Sequence, residues 1–172
     1  MISVLADEIL VPTVGPAEVA DLVDLSTDSQ RDWRRRGLLD EHGRQDANGR
    51  WRYSVLETFT MWIARRLTEA RFDISDAMIL AYVAANKLLA SENTFLLWHD
   101  REKLDAKESK DTELVTRYIV AFNHEGALSY IETDNLMDLF KSRQPVFFVV
   151  DLWDLAEATP VALVQKAFPE IG

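Results

Sequence analysis

Helix-start and turn signals follow one another closely near the beginning of the chain, so only short elements fit there. Pro16 suits the first turn of a helix, and the acidic residues that follow it favour the same position. Ser26 or Thr27 is expected to cap a second helix, which ends at Gly37. Two short helices separated by a tight turn predict a helix-turn-helix.

The next stretch carries the signals of a β-hairpin followed by a longer helix. Asn48 and Gly49 favour a tight turn, and the alternation over residues 50–53 suits a short strand. We interpret residues 38–53 as such a hairpin and call it the wing. Ser54 and Glu57 then have the spacing of a capping box, which predicts the start of a helix.

Apolar spacing predicts two helices after the wing and a change of pattern beyond Ser91. The second of these helices is expected from Ser75 to about Ala90. The charged residues 100–112 are typical of a solvated loop. The remaining predicted strands are at 114–122, 127–132 and 145–150, and the continuous apolar run at 145–150 is typical of a buried strand. A short helix is predicted at 134–141 and a last helix from Thr159-Pro160 through Phe168. The chain is therefore expected to be α+β.

Charge is divided unevenly along the chain, whose formal net charge is −10. Residues 26–72 contain ten arginines and seven acidic residues, a balance of +3, while the remainder carries −13. Arginine suits bidentate contacts with phosphate and guanine, and such asymmetry is a hint of nucleic-acid contact. The overall acidity argues against indiscriminate nucleic-acid binding through the whole surface.

Residues 16–80 contain an ordered set of polar, aromatic and glycine residues that is followed by regularly spaced apolar residues. Its members are Glu18-Val19-Ala20, Ser26, Ser29, Arg31, Trp33, Gly37-Leu38-Leu39, Arg44, Gly49, Tyr53-Ser54, Leu56, Phe59, Ile63, Leu67, Phe72 and Ile74. This ordered set resembles the DNA-binding domain of the MerR family of winged-helix regulators. It implies an N-terminal winged helix-turn-helix, followed here by a small α+β domain that we do not recognise.

The helix-turn-helix would place its second helix in the major groove of double-stranded DNA, with the wing on the backbone or in the minor groove. Candidate base readers stand at the start of that helix, phosphate contacts further along it, and wing contacts after it. By resemblance, Tyr53 and Arg66 add backbone contacts. The expected DNA-binding residues are Thr27, Ser29, Arg31, Arg34, Arg35, Arg44, Arg50, Arg52, Tyr53 and Arg66.

Structural roles compete with binding for several of these side chains. Trp33 and Trp51 are interpreted as packing between the helix and the wing. Residues 34–36 also fit a solvated charge cluster, because cations are favoured at helix C-termini. Arg65 and Arg66 fit pairing with Glu69 across one helical turn.

The expected function is that of a sequence-specific transcriptional regulator acting as a homodimer on near-palindromic DNA. The expected domains are an N-terminal extension (1–15), the DNA-binding domain (16–90) and a domain for dimerisation, interaction or sensing (91–172). MerR-family proteins usually continue into a long dimerisation helix, whereas an acidic α+β segment follows here. The absence of cysteine excludes metal sensing through thiolates.

Other classes of function receive less support from the sequence. The three histidines are scattered and no phosphate-cradling glycine loop is present, so neither an enzyme, a metal site nor a cofactor is expected. A protein-interaction module remains an alternative, in which the winged helix or the acidic C-terminal half docks a partner protein rather than DNA. For the acidic half that partner would be RNA polymerase or another protein. A ligand-sensing domain in the C-terminal half also remains an alternative. No apolar run or secretory signal points to a membrane or to export, so a cytoplasmic location is expected.

Overall fold

The computed structural model describes residues 9–90, 117–124, 127–136 and 148–169. These residues contain six helices and two small antiparallel sheets, so the chain is of the α+β class, as predicted. They form two compact units. One unit takes the described residues up to Ala90 together with those from Pro160 onward, and the other takes the described residues from 117 to Thr159.

Two short helices open the first unit, α1 at Pro16–Val23 and α2 at Thr27–Arg35. Asp24, with a φ of 52°, ends α1 in the left-handed conformation. The Ser26 hydroxyl then caps α2 by accepting a hydrogen bond from the backbone N–H of Ser29. Gly37, at φ 78°, follows α2 where a left-handed residue is needed, so the two short helices begin and end close to the predicted positions.

The predicted wing is a small antiparallel hairpin made of β1 (Arg44–Gln45) and β2 (Trp51–Arg52). At its turn, the Asp46 carboxylate accepts hydrogen bonds from the backbone N–H groups of Asn48 and Arg50. A third segment joins the hairpin through an antiparallel bridge between Val14 and Tyr53. The residues from 9 to 15, expected to be an extension, thus contribute the fully buried Val14 to this unit.

Two longer helices, α3 (Val55–Glu69) and α4 (Ile74–Leu89), pack against each other and supply much of the first unit's core. The predicted capping box of Ser54 and Glu57 starts α3. Phe59 and Ile63 on α3 and Leu80 on α4 are completely buried.

The first unit is completed by a helix from the other end of the chain, α6 at Val161–Ala167. It packs against α1 and α3, with Leu163 fully buried and the Lys166 ammonium 2.7 Å from the Glu18 carboxylate. The sequence interpretation grouped this helix with residues 91–159. Its contacts group it with the first unit instead, because its apolar face is buried there.

The second unit holds a three-stranded sheet of β3 (Tyr118–His124), β4 (Ala127–Thr133) and β5 (Phe148–Asp151), in the order β4-β3-β5. The centre of the sheet is β3, where Ile119 and Val120 are fully buried. The first two strands agree with the predicted pair. The loop predicted at 100–112 lies outside the described residues, as do most of the predicted helix at 134–141 and parts of the outer predicted strands.

Two features of the second unit differ from expectation. Residues 145–150 were expected to form a buried strand, but Phe148 and Val149 are 38% and 44% exposed. Within the described part of the chain β5 pairs with β3 alone and so lies at an edge. The predicted burial holds for Val150, which is 5% exposed, but not for Phe148 and Val149. A helix that was not predicted, α5 at Leu152–Ala158, follows immediately, capped by the Asp151 side chain.

Candidate nucleic-acid interface

Five of the ten predicted binding residues border a cleft between α2 and the wing, namely Thr27, Arg31, Arg34, Arg50 and Tyr53. The cleft has a volume of about 320 Å³. Its α2 side is formed by Thr27, Gln30, Arg31 and Arg34, and its wing side by Gly49, Arg50, Trp51 and Tyr53, with Pro16 beside them. Residues from the start of the second helix and from the tip of the hairpin therefore lie on a common surface.

On α2, the outward side chains are polar and already paired within the helix. Arg31 is 79% exposed and its guanidinium lies 2.8 Å from Asp28, one turn earlier. Arg35 is equally exposed and pairs with Asp32 in the same way. Such exposed pairs contribute at most about 1 kcal/mol, so each aspartate holds its arginine only weakly. The side chain of Ser29 bonds to that of Ser26, which places it at the helix start.

Arg34 lies differently from the other arginines, since its guanidinium is engaged inside the unit. It donates to the backbone carbonyls of Leu39 and His42 at 3.1 and 3.2 Å and to the Tyr53 hydroxyl at 3.1 Å. Its central carbon lies only 3.4 Å from the centroid of the Trp51 ring, within cation–π range. Sequence reasoning assigned Arg34 to phosphate and missed this internal role.

The wing presents its arginines along both strands and the turn between them. Arg44 and Arg50 are exposed. Arg52 is held by Asp46, at 3.3 Å. Hydrogen bonds from the backbone N–H groups of Arg50 and Asn48, and from Arg52, hold the pKa of Asp46 below its usual value, so this carboxylate stays charged and keeps the turn closed.

Tyr53 and Arg66, which the resemblance alone predicted to contact the DNA backbone, differ in their exposure to solvent. Tyr53 is 2% exposed, and its hydroxyl accepts a hydrogen bond from Arg34, so in this conformation it offers no surface to a DNA backbone. Arg66 is exposed near the end of α3, with its guanidinium carbon 5.7 Å from the Trp62 ring centroid. Arg66 is not among the residues that border the cleft.

Gln30 and Glu57 hold the elements of the candidate interface together, a role that was not predicted for either residue. Gln30 is 2% exposed and donates from its amide nitrogen to the backbone carbonyls of Pro16 and Leu25, which fixes α2 against α1. Glu57 accepts from the backbone N–H of Gly43 at 2.7 Å in addition to its capping-box bond. The capping spacing was a signal for Glu57, whereas a polar residue on a helix face gave none for Gln30.

Arg65 has a structural role, and it pairs with Glu69 across one helical turn as the sequence suggested. It lies 3.2 Å from Glu69 and 2.7 Å from Asp24, and it donates to the backbone carbonyl of Val23 at the end of α1. Trp33 is 9% exposed and lies beside Arg65 and Glu69 of α3, while Trp51 is half-buried beneath Arg34. These contacts connect the helix-turn-helix to α3.

His42 lies beside the wing and is partly buried, with its ring centroid 6.2 Å from that of Tyr82. Burial lowers the pKa of His42, and the nearby carboxylates of Glu57 and Glu41 oppose that effect. The imidazole is therefore neutral at pH 7 and adds no charge to the cleft.

No group of three or more histidine and acidic side chains that could hold a metal ion occurs among the described residues. In the same part of the chain, no helix combines the length and apolar character needed to cross a bilayer. The likeness to the MerR family stays a prediction from the residues quoted above. No model of a known protein family matches the chain, and neither does any curated protein.

Proposed function

We propose that the protein is a sequence-specific DNA-binding regulator of transcription that acts as a homodimer. In this proposal α2 enters the major groove and the wing contacts the backbone or the adjoining minor groove. The observation that carries it is the cleft, since the first half of α2 and the arginine-rich wing tip lie on one surface.

In this proposal the exposed side chains divide into those that contact bases and those that contact phosphates. Arg31 stands near the start of α2, where it can take the O6 and N7 acceptors of a guanine, a contact worth about 1–3 kcal/mol of discrimination. Thr27 and Ser29 supply hydroxyls on the same turn. Arg35, Arg44, Arg50, Arg52 and Arg66 are left for phosphates, while Arg34 and Tyr53 act inside the unit.

The homodimer is proposed from the resemblance and because a two-fold symmetric dimer matches a near-palindromic DNA site. It does not rest on an observed contact between protomers. A dimer reads two half-sites about one helical turn apart. The strongly acidic balance outside residues 26–72 disfavours nonspecific binding, so recognition depends on the specific site and falls steeply with salt.

The test is selection of bound fragments from a genomic DNA pool by the full chain, at low and moderate salt. The wild type is expected to recover a discrete, near-palindromic site. Arg31→Ala combined with Arg50→Ala is expected to lose it, because both side chains border the cleft.

The matched control is Arg71→Asn, which removes one arginine from outside the cleft. Arg71 has a φ of 73°, a conformation that asparagine tolerates well, so the backbone is not strained. This variant is expected to recover the same site as the wild type. Failure of the wild type to enrich any sequence at either salt would refute the proposal.

A protein-interaction module is the second candidate, favoured by the alternating charges on the outer face of α2. There Asp28 and Asp32 stand among the arginines and would repel phosphate. A partner protein with mixed surface charges would suit this face. If the DNA selection fails, a pull-down with the wild type and the Arg31→Ala, Arg50→Ala variant tests this candidate, and only the wild type is expected to retain a partner.

A further inference from the structure

We infer that Arg34 is a positioning residue for the wing. Its guanidinium fixes the distance between α2 and the wing tip, and thereby determines how many phosphates the wing arginines reach. The first part concerns the free protein, while the second rests on the proposed function.

The wing needs such a contact because its strand pairing is short, and the hydrogen bonds of Asp46 close its turn without joining it to α2. Each strand contains two residues, and the register consists of the pairs Arg44–Arg52 and Gln45–Trp51. A two-stranded hairpin of this size is marginal in water. The base of the wing is anchored by the Val14–Tyr53 bridge, but Trp51 lies further toward the turn.

Arg34 makes its contacts with both parts of this arrangement. One terminal nitrogen donates to the Tyr53 hydroxyl at the base, and the guanidinium carbon lies 3.4 Å from the centroid of the Trp51 ring. The bonds to the carbonyls of Leu39 and His42 hold the same group against the segment that leads from α2 into the wing. The guanidinium therefore connects helix, connecting segment and wing at one point.

Arginine is the only side chain with the geometry for this set of contacts. Its planar fork offers five N–H donors in fixed directions and stacks on an aromatic ring. Lysine carries the same charge on a single ammonium, without the plane. Arg34→Lys thus separates positioning from charge, because a residue that acted only as a phosphate contact would be rescued by lysine.

The first measurement uses the full chain without DNA. Backbone ¹⁵N relaxation is recorded for the wild type, Arg34→Lys and the control Arg35→Lys, whose parent residue is exposed on the same helix. In Arg34→Lys the order parameters of residues 49–51 are expected to fall from roughly 0.85 to below 0.6. Those of α3 are expected to stay unchanged, which shows that the unit remains folded. Wild-type values at residues 49–51 would overturn the inference.

The second measurement follows the affinity for the selected DNA site as a function of salt. Arg34→Lys is expected to weaken binding on the order of tenfold and to reduce the log–log slope by more than the 0.9 or so of one phosphate. Trp51→Ala is expected to cause a similar loss, and the double variant no greater one. Wild-type binding by Arg34→Lys, or additive losses in the double variant, would overturn this part.

The two measurements distinguish failure of the proposed function from failure of the inference about Arg34. If the wild type binds no DNA, the proposed function is refuted, whereas the relaxation data still decide whether Arg34 holds the wing. If the wild type binds and Arg34→Lys behaves like Arg35→Lys in both measurements, the proposed function stands and Arg34 is not a positioning residue.

Discussion

Glu57 and Gly43 are 14 positions apart, and a carboxylate oxygen of Glu57 accepts a 2.7 Å hydrogen bond from the backbone N–H of Gly43. The other oxygen accepts from the N–H of Ser54 at the same distance. One side chain therefore caps α3 and anchors the entry of the wing. The position of the wing depends on where α3 begins, which the sequence encodes as a capping box.

Replacement of Glu57 by alanine is expected to lower the free energy of unfolding by about 2 kcal/mol, because two N–H groups lose a charged acceptor. Urea denaturation followed by circular dichroism measures this. The control is Glu69→Ala at the other end of α3, whose exposed pair with Arg65 is worth less than about 1 kcal/mol. Equal losses in the two variants would contradict the double role of Glu57.

The two wing glycines are expected to respond very differently to alanine. Both have a positive φ, 76° at Gly43 and 73° at Gly49, so each substitution strains the backbone by about 1–2 kcal/mol. A Cβ at Gly43 would also lie 2.9 Å from the Tyr53 ring, whereas one at Gly49 would meet nothing within 4 Å. Thermal unfolding is expected to show the larger loss of melting temperature for Gly43→Ala. A comparable loss at Gly49 would contradict the close approach of Tyr53.

Stability is expected to fall as the pH drops below about 6.5, partly because of His42. Its pKa is lowered mainly by burial from a reference of 6.5, so the unfolded chain binds the proton more readily than the folded one. Stability therefore rises with pH through this range and is lost as the pH falls. Urea midpoints between pH 5 and pH 8 measure the effect. His42→Gln is expected to flatten the profile, and an unchanged profile would rule out His42 as the cause.

The packing of α6 predicts that substitutions in this helix weaken the first unit. Leu163 is fully buried, so Leu163→Ala is expected to lower the free energy of unfolding by about 2–5 kcal/mol. Val161→Ala on the same helix is the control, because Val161 is 62% exposed and its loss should stay within about 0.5 kcal/mol. Hydrogen exchange of α1 and α3 amides shows whether the loss reaches that unit. Unchanged exchange there in Leu163→Ala would contradict the grouping.

Local signals in the sequence predicted the N-terminal elements well. Ser26, Gly37, Gly49 and the Ser54 capping box each act within a few residues, so a cap or turn can be read directly from them. The helix α5 was not predicted, although Asp151 caps its first turn. The apolar run of residues 145–150 that precedes it indicated only a strand. That run also suggested burial, but whether a strand lies at an edge is decided by its partners.

The candidate interface was predictable by residue type but not by residue role. Charge and order located the arginines between 26 and 72, and the exposed Arg31, Arg44 and Arg50 suit the expected contacts. The internal position of Arg34 depends on Trp51 and on carbonyls several residues away, a relationship that no local pattern encodes. The grouping of α6 with α1 likewise depends on a long-range contact, whereas the sequence predicted only that a helix begins near Pro160.

The return of α6 to the first unit sets an order of events during synthesis. The helices α1 to α4 leave the ribosome well before α6, and the roughly 70 residues between Ala90 and Pro160 take several seconds to translate at about 5–20 residues per second. Throughout that interval the apolar sides of α1 and α3 that α6 later covers are open to solvent. The nascent first unit therefore exposes these apolar side chains until the last helix arrives, and a fragment that stops at Ala90 would expose them permanently.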